Sequence, residues 1–288
     1  MGTSTGQVLA GDGTQISYRT AGSSGNDNAP VVVLIHGWAQ SSRSWGDALI
    51  ADLSADYRVI AIDLRGHGDS AVPADDHLTA EDFGGDIAAV LDAEVTGDQQ
   101  VFLLGWSYGG LVIGDYLKYR AEQNSAATDP AGLILVGAIT SMGRGEAGGR
   151  VGPAMRAALP AAFSEDAPVA TAALLAFVDG LVPAEQGALA QQFLGTSLTV
   201  PPAVRAGLFG RSASYDDVIA GYDGQVLVIH GTADPVVDIS CAHHVETLVP
   251  GAHTRYWDGA KHAPFVEDPA RFASQVREFV TATAGAFR

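Results

Sequence analysis

Short apolar runs alternate along this chain with segments in which apolar residues recur every three or four positions. VVVLI at 31–35, VIAI at 59–62, VFLL at 101–104, LILV at 133–136 and VLVI at 226–229 carry no charge. Runs this short and this rich in Val, Ile and Leu predict strands covered on both faces. HTRYWDG at 253–259 predicts one more strand, and residues 7–22 a hairpin turning at Asp12-Gly13. Helical patterns occupy 43–56, 78–95, 107–123, 240–249 and 268–280. In the second, Thr79 and Asp82 form a capping box ahead of Phe83, Ile87, Val90 and Leu91 on one face. In the last, Asp268 caps, Pro269 takes the first turn, and Phe272, Val276, Phe279 and Val280 share a face. Asp238 is expected to cap the helix at 240–249.

Strands alternating with helices imply right-handed βαβ units and a mostly parallel sheet with helices on both sides. Residues 141–214 break the alternation. They are rich in Ala, Leu, Gly and Pro, with short helical patterns in GPAMRAAL, APVATAALLAFVDGL, AEQGALAQQFL and PAVRAGLF. The expected organisation is a core made of 1–140 and 215–288, interrupted by an all-helical insertion at 141–214.

Composition narrows the function classes. Of 288 residues, 47% are hydrophobic, enough for one large core. The formal net charge of −17 argues against nucleic acid and anionic membrane, whose phosphates need a basic face, and leaves a small-molecule substrate as the expected partner. Cys241 is the single cysteine, so no internal disulfide can form. The first residues carry no basic start, apolar run or myristoylation pattern, and no stretch nears the ~20 apolar residues of a membrane span. The expected location is cytoplasmic. Oligomeric state has no signal in the chain.

Two windows match G-x-S-x-G: GTSTG at 2–6 and GWSYG at 105–109. A nucleophile elbow needs a strand before the serine and a helix after it, with small neighbours that let the two cross closely. Ser4 has neither flank; Ser107 has both. A serine hydroxyl also needs a base, and the base an orienting acid. In elbow hydrolases the acid and then the histidine follow the serine. Among the late histidines, His243 and His244 fall inside a helical pattern and His253 starts a strand. His262 lies in the loop between the last strand and the last helix, where an open α/β sheet places functional groups. Asp234, four residues past the run at 226–229 with its closing His230, is the matching acid. The backbone N–H groups of Tyr108 and Trp38 are the expected oxyanion donors. GRGEAG at 143–148 satisfies G-x-G-x-x-G, but no second strand with an acidic end follows it, and no zinc spacing or P-loop exists.

In order, HGW (36–38), DLRGHGDS (63–70), GWSYGG (105–110), HGTADPVV (230–237) and KHAPFVEDP (261–269) resemble the landmarks of the α/β-hydrolase superfamily, in particular bacterial esterases and cofactor-free (non-haem) haloperoxidases or perhydrolases. The resemblance implies an α/β fold: a mostly parallel eight-stranded sheet flanked by helices, with 141–214 as a helical cap. It implies a Ser107, Asp234 and His262 triad, no cofactor and no metal. DLRGHGDS recurs there as a structural turn without a catalytic role. Epoxide hydrolases and haloalkane dehalogenases place aspartate where Ser107 stands.

The expected activity is acyl-enzyme cleavage of a small, mainly uncharged ester. A lactonase, thioesterase or C–C bond hydrolase on the same machinery, or a non-catalytic binder, are the alternatives. Trp38, Trp106, Met142 and Phe177, with Phe163, Phe193, Leu208 and Phe209, either line an apolar pocket or glue the insertion to the core.

Overall fold

The computed structural model describes residues 2–22, 29–74, 77–123, 127–183 and 185–286. Its strands are β1 (Ser4–Leu9), β2 (Gln15–Ala21), β3 (Val31–Ile35), β4 (Arg58–Ile62), β5 (Val101–Trp106), β6 (Pro130–Val136), β7 (Ser141–Met142), β8 (Ala213–Ser214), β9 (Gln225–Gly231) and β10 (His253–Trp257). Eight of them form one sheet in the order β1-β2-β4-β3-β5-β6-β9-β10. From β4 to β10 every neighbouring pair runs parallel, and only the β1–β2 hairpin and its join to β4 are antiparallel. All residues of β3 and β5 are buried, as their uniformly apolar sequences require.

The helices are α1 (Asp47–Leu53), α2 (Ala80–Glu94), α3 (Tyr108–Glu122), α4 (Pro153–Ala158), α5 (Ala167–Val178), α6 (Gly187–Thr199), α7 (Pro202–Gly210), α8 (Asp216–Ala220), α9 (Ser240–Leu248), α10 (Pro264–Glu267) and α11 (Pro269–Ala286). The long ones flank the sheet, α2 packed on α3 and α1 on α11. Phe272, Val276 and Val280 of α11 are fully buried and Phe279 nearly so, the face its spacing predicts. The capping box at Thr79 and Asp82 is present, and Asp268 accepts from Arg271 N–H at 3.0 Å. This is the mostly parallel, helix-flanked sheet that the alternation implied, with the eight strands that the resemblance implied.

Three expectations shift. Asp238 sits one residue outside the cap of α9: Ile239 takes that position and Asp238 accepts from Ser240 N–H at 2.9 Å. The glycine-rich 143–148 stretch runs into a 3-10 turn at Ala147–Gly149 and opens no long helix on which a phosphate could sit. The helical stretch begins one step later than expected, because residues 141–142 pair antiparallel with 213–214 and so bracket α4–α7.

The chain leaves β3 for β4 on one side and later enters β5 on the other, so the strand order reverses around β3. Such a reversal opens a crevice at the carboxyl ends of the strands. There β5 crosses closely beneath α3. A Cβ added to Gly109 would stand 2.2 Å from Ile35 O, and one on Gly105 2.5 Å from Gly109 O. Gly109→Ala is therefore expected to destabilise by about 2 kcal/mol or more, as forced overpacking does. An unchanged urea midpoint would show that the crossing has slack.

Candidate active site

Ser107 stands between β5 and α3 with φ 57° and ψ −118°, a backbone region that side chains rarely adopt. The strain is held by three backbone bonds: Ser107 N–H to Val136 O at 2.9 Å, Gly110 N–H to Ser107 O at 3.0 Å and Ile139 N–H to Ser107 O at 3.2 Å. Ser107 is only 8% exposed.

His262 follows β10 and Asp234 follows β9. The His262 Nδ1 lies 2.7 Å from Asp234 Oδ2, with both side chains buried. Asp234 Oδ1 accepts from Val236 N–H at 2.8 Å and Val237 N–H at 3.0 Å. A carboxylate so placed is an acceptor, which puts the His262 proton on Nδ1. The Nε2 of His262 is buried and has no hydrogen-bond partner among the described residues, so no bond joins it to Ser107 Oγ. The 136–139 turn links the two. It holds the Ser107 backbone, and a Cβ on Gly137 would sit 3.2 Å from both His262 Nδ1 and Asp234 Oδ2.

The turn after β3 approaches from the other side. A Cβ on Gly37 would lie 2.9 Å from Ser107 Cβ and 3.4 Å from its Oγ. Neither Trp38 N–H nor Tyr108 N–H donates to a protein acceptor among the described residues. Ala39, next in the turn, also has positive φ, 54°. His36 braces this loop. Its Nδ1 donates to Gly37 O at 2.8 Å and its Nε2 accepts from Leu64 N–H at 3.0 Å. Burial pushes the His36 pKa down to about 4 and that of His67, 5.2 Å away ring to ring, down to about 3.

The aromatic residues divide in role. Trp38 is edge-on to Phe163, Phe177 and Phe209, and its Nε1–H donates to Arg205 O at 3.0 Å. Trp106 donates from Nε1 to His262 O at 2.9 Å and packs on the His262 ring, so it braces the histidine loop. Met142 lies in β7, paired with Ala213, and no hydrogen bond ties it to Ser107, Asp234 or His262.

Several contributors have no sequence motif. Arg205 is buried, and its guanidinium donates to Ala162 O, Ser197 O and Val200 O, which neutralises the carbonyl end of α6. Gln40 reaches from the Trp38 loop to Ser197 Oγ at 2.9 Å. Beneath Tyr108, Arg211 contacts Tyr108 Oη at 2.9 Å and pairs with the fully buried Asp115, to which Tyr215 also donates. Burial pushes the Asp115 pKa up, while Arg211 opposes the shift.

The sequence matches the model of the Alpha/beta hydrolase family over residues 32–275. The chain belongs to that family. It is 49% identical to an esterase from Rhodococcus sp. ECU1013, whose structure superimposes with a TM-score of 0.90 over 97% of this chain and 99% of that one. It is 25% identical over 270 residues to a pimeloyl-[acyl-carrier protein] methyl ester esterase of Vibrio vulnificus, covering 92% of this chain and 98% of the relative. A non-heme chloroperoxidase of Streptomyces lividans is 36% identical over 135 residues, 46% of this chain and 45% of that one. The expected likeness to esterases and non-haem haloperoxidases is borne out. No helix among the described residues is long and apolar enough to cross a membrane.

Two stability predictions follow from the buried charges. Unfolded, His36 and His67 each take up a proton near pH 6.5; folded, they resist until about 4 and about 3. The unfolded state binds more protons across that window, so their contribution to stability is lost as pH falls below 6.5. The urea midpoint is expected to drop between pH 6.5 and 4 and to drop less in His67→Gln; parallel slopes in the two proteins would contradict neutral burial. Arg211→Met strands the Asp115 carboxylate and should destabilise by about 3–5 kcal/mol, whereas adding Asp115→Leu should restore most of it. Calorimetry of the single and double variants distinguishes the two.

Proposed function

We propose that this chain is a serine esterase working through an acyl-enzyme, with Ser107 as nucleophile, His262 as base and Asp234 as the orienting acid. The observation that carries the reading is the His262 ring. One nitrogen is fixed on a buried carboxylate, the other is buried and unpartnered, and the 136–139 turn that borders this ring also bonds the backbone of the strained serine. Rotation of the serine about χ1 moves Oγ between staggered wells, and catalytic hydrogen bonds commonly tighten only with substrate in place.

In the proposed reaction Ser107 Oγ attacks the ester carbonyl while its proton passes to His262 Nε2. The Asp234 charge steadies the imidazolium, and the N–H groups of Trp38 and Tyr108 hold the oxyanion, each worth roughly 3–4 kcal/mol in the transition state. The tetrahedral intermediate collapses, His262 gives its proton to the leaving alkoxide, and the acyl group stays on Ser107. Water, deprotonated by His262, then releases the acid and restores the serine.

The helical segment 141–214 acts as a cap in this reading. The aromatic set of buried Trp38 and Phe177 with half-buried Phe163 and Phe209 gives the substrate side an apolar wall in this reading, which favours uncharged esters. The name of the Rhodococcus relative, an esterase at 49% identity, agrees with it.

Ser107→Ala is expected to lower kcat by roughly 10⁶ on p-nitrophenyl esters while leaving the thermal midpoint near wild type. A fluorophosphonate probe should label Ser107 and no other serine. Turnover surviving in the alanine variant would remove Ser107 from the chemistry. Across an acyl series, kcat/KM should favour neutral short esters over a carboxylate-bearing one. The reverse order would rule out the apolar wall as the selecting surface.

A further inference from the structure

His230 is the penultimate residue of β9, fully buried, and has no part in the mechanism above. The strand ends at Gly231, and a turn closed by Asp234 N–H to Gly231 O at 3.2 Å folds the acid back over this ring. His230 Nε2 then lies 3.3 Å from Asp234 Oδ2 and 3.2 Å from Val237 O. A carbonyl only accepts, and so does an ionised carboxylate. The ring proton therefore sits on Nε2 and is donated to Val237 O, with Asp234 Oδ2 close beside it. Nδ1 is left as a buried lone pair without a partner among the described residues. The ionisable groups facing the ring are Asp234, His262 and Asp238. Desolvation pushes the His230 pKa down, the nearby carboxylates oppose it, and the outcome is a lowered value and a neutral ring.

Asp234 thus meets three donors, Val236 and Val237 N–H on Oδ1 and His262 on Oδ2, and the His230 Nε2 stands 3.3 Å from that same Oδ2. Building on the triad reading, we propose that His230 is a positioning residue for the acid: its Nε2–H, anchored on Val237 O, sets the positive end of its dipole beside Asp234 Oδ2, which favours the carboxylate turned toward His262 and draws charge from the oxygen that His262 uses. Without that donor, the charge on Oδ2 falls on His262 alone. The imidazolium is then held more tightly, and the carboxylate is freer to rotate. The Val237 carbonyl that accepts the proton belongs to a stretch pinned from the helical side by Gly152 N–H to Val236 O and by the bridge between Val151 and Val237. The second imidazole is therefore anchored through the carbonyl it donates to.

The test compares His230→Leu, which removes the donor, with His230→Gln, whose amide N–H can reach the same oxygen. Both are measured for kcat, KM and the pH profile of kcat/KM alongside their melting temperatures. The leucine variant is expected to lose about tenfold in kcat with KM within about twofold, and the acid limb of its profile should move up by about half a pH unit. The glutamine variant should recover most of both. Equal losses in the two variants with an unmoved acid limb would reduce His230 to packing, as would wild-type kinetics in a folded leucine variant. A wild-type measurement keeps the proposal open to refutation if neither variant folds. In ¹⁵N-histidine-labelled protein His230 should appear as the neutral Nε2–H tautomer, and an Nδ1–H tautomer would overturn the assignment. Turnover retained by Ser107→Ala would instead strike the triad reading itself, a result separate from any outcome at residue 230.

Discussion

The strained turn at Ser107 is the constraint on which the rest of this structure depends. A side-chain-bearing residue at φ 57° and ψ −118° persists only where its surroundings over-determine it. Here a buried strand enters, a helix leaves at once, and the 136–139 turn bonds the serine backbone on both its N–H and its carbonyl. The same turn touches His262 and Asp234, and the Gly37 turn presses on the serine from the opposite side. Ser107, His262 and the Gly37 turn are thereby referenced to one rigid point rather than to three independent loops.

Around that point the protein buries an unusual amount of polarity, and it does so in two ways. The imidazoles of His36 and His67 are kept neutral by desolvation, so they serve as hydrogen-bonding struts without charge. Asp115 and Arg211 stay as a charged pair tied to the Tyr108 and Tyr215 hydroxyls. The struts hold the Trp38 loop, and the pair holds Tyr108. Two backbone segments from distant parts of the chain are therefore fixed by separate polar devices, the preorganisation that the proposed oxyanion role would need.

The helical segment is joined to the same loop. Trp38 Nε1–H on Arg205 O, Gln40 on Ser197 Oγ and the Arg205 guanidinium on the α6 carbonyls make one connected set. Any displacement of α6 or α7 pulls on the residue beside the serine. The aromatic rings packed on Trp38 and the Trp38 loop itself are coupled mechanically through these bonds.

Much of this was legible in the chain itself. Uncharged runs marked five central strands, glycines around a serine marked the elbow, and chain order singled out His262 and Asp234, because each of these signals is written within a few neighbouring residues. The partners of those residues were not legible. Trp106 bracing His262 spans 156 positions, Arg211 reaching Asp115 spans 96, and Trp38 reaching Arg205 spans 167. His230, only four residues from Asp234, escaped notice for a different reason: a strand residue and a turn residue face one another only after the chain doubles back at Gly231. Local pattern determines which backbone forms and where a strand must stop. Which buried polar groups then meet is decided by close packing of the whole chain, since a hydrogen bond between distant residues leaves no periodic trace in the sequence.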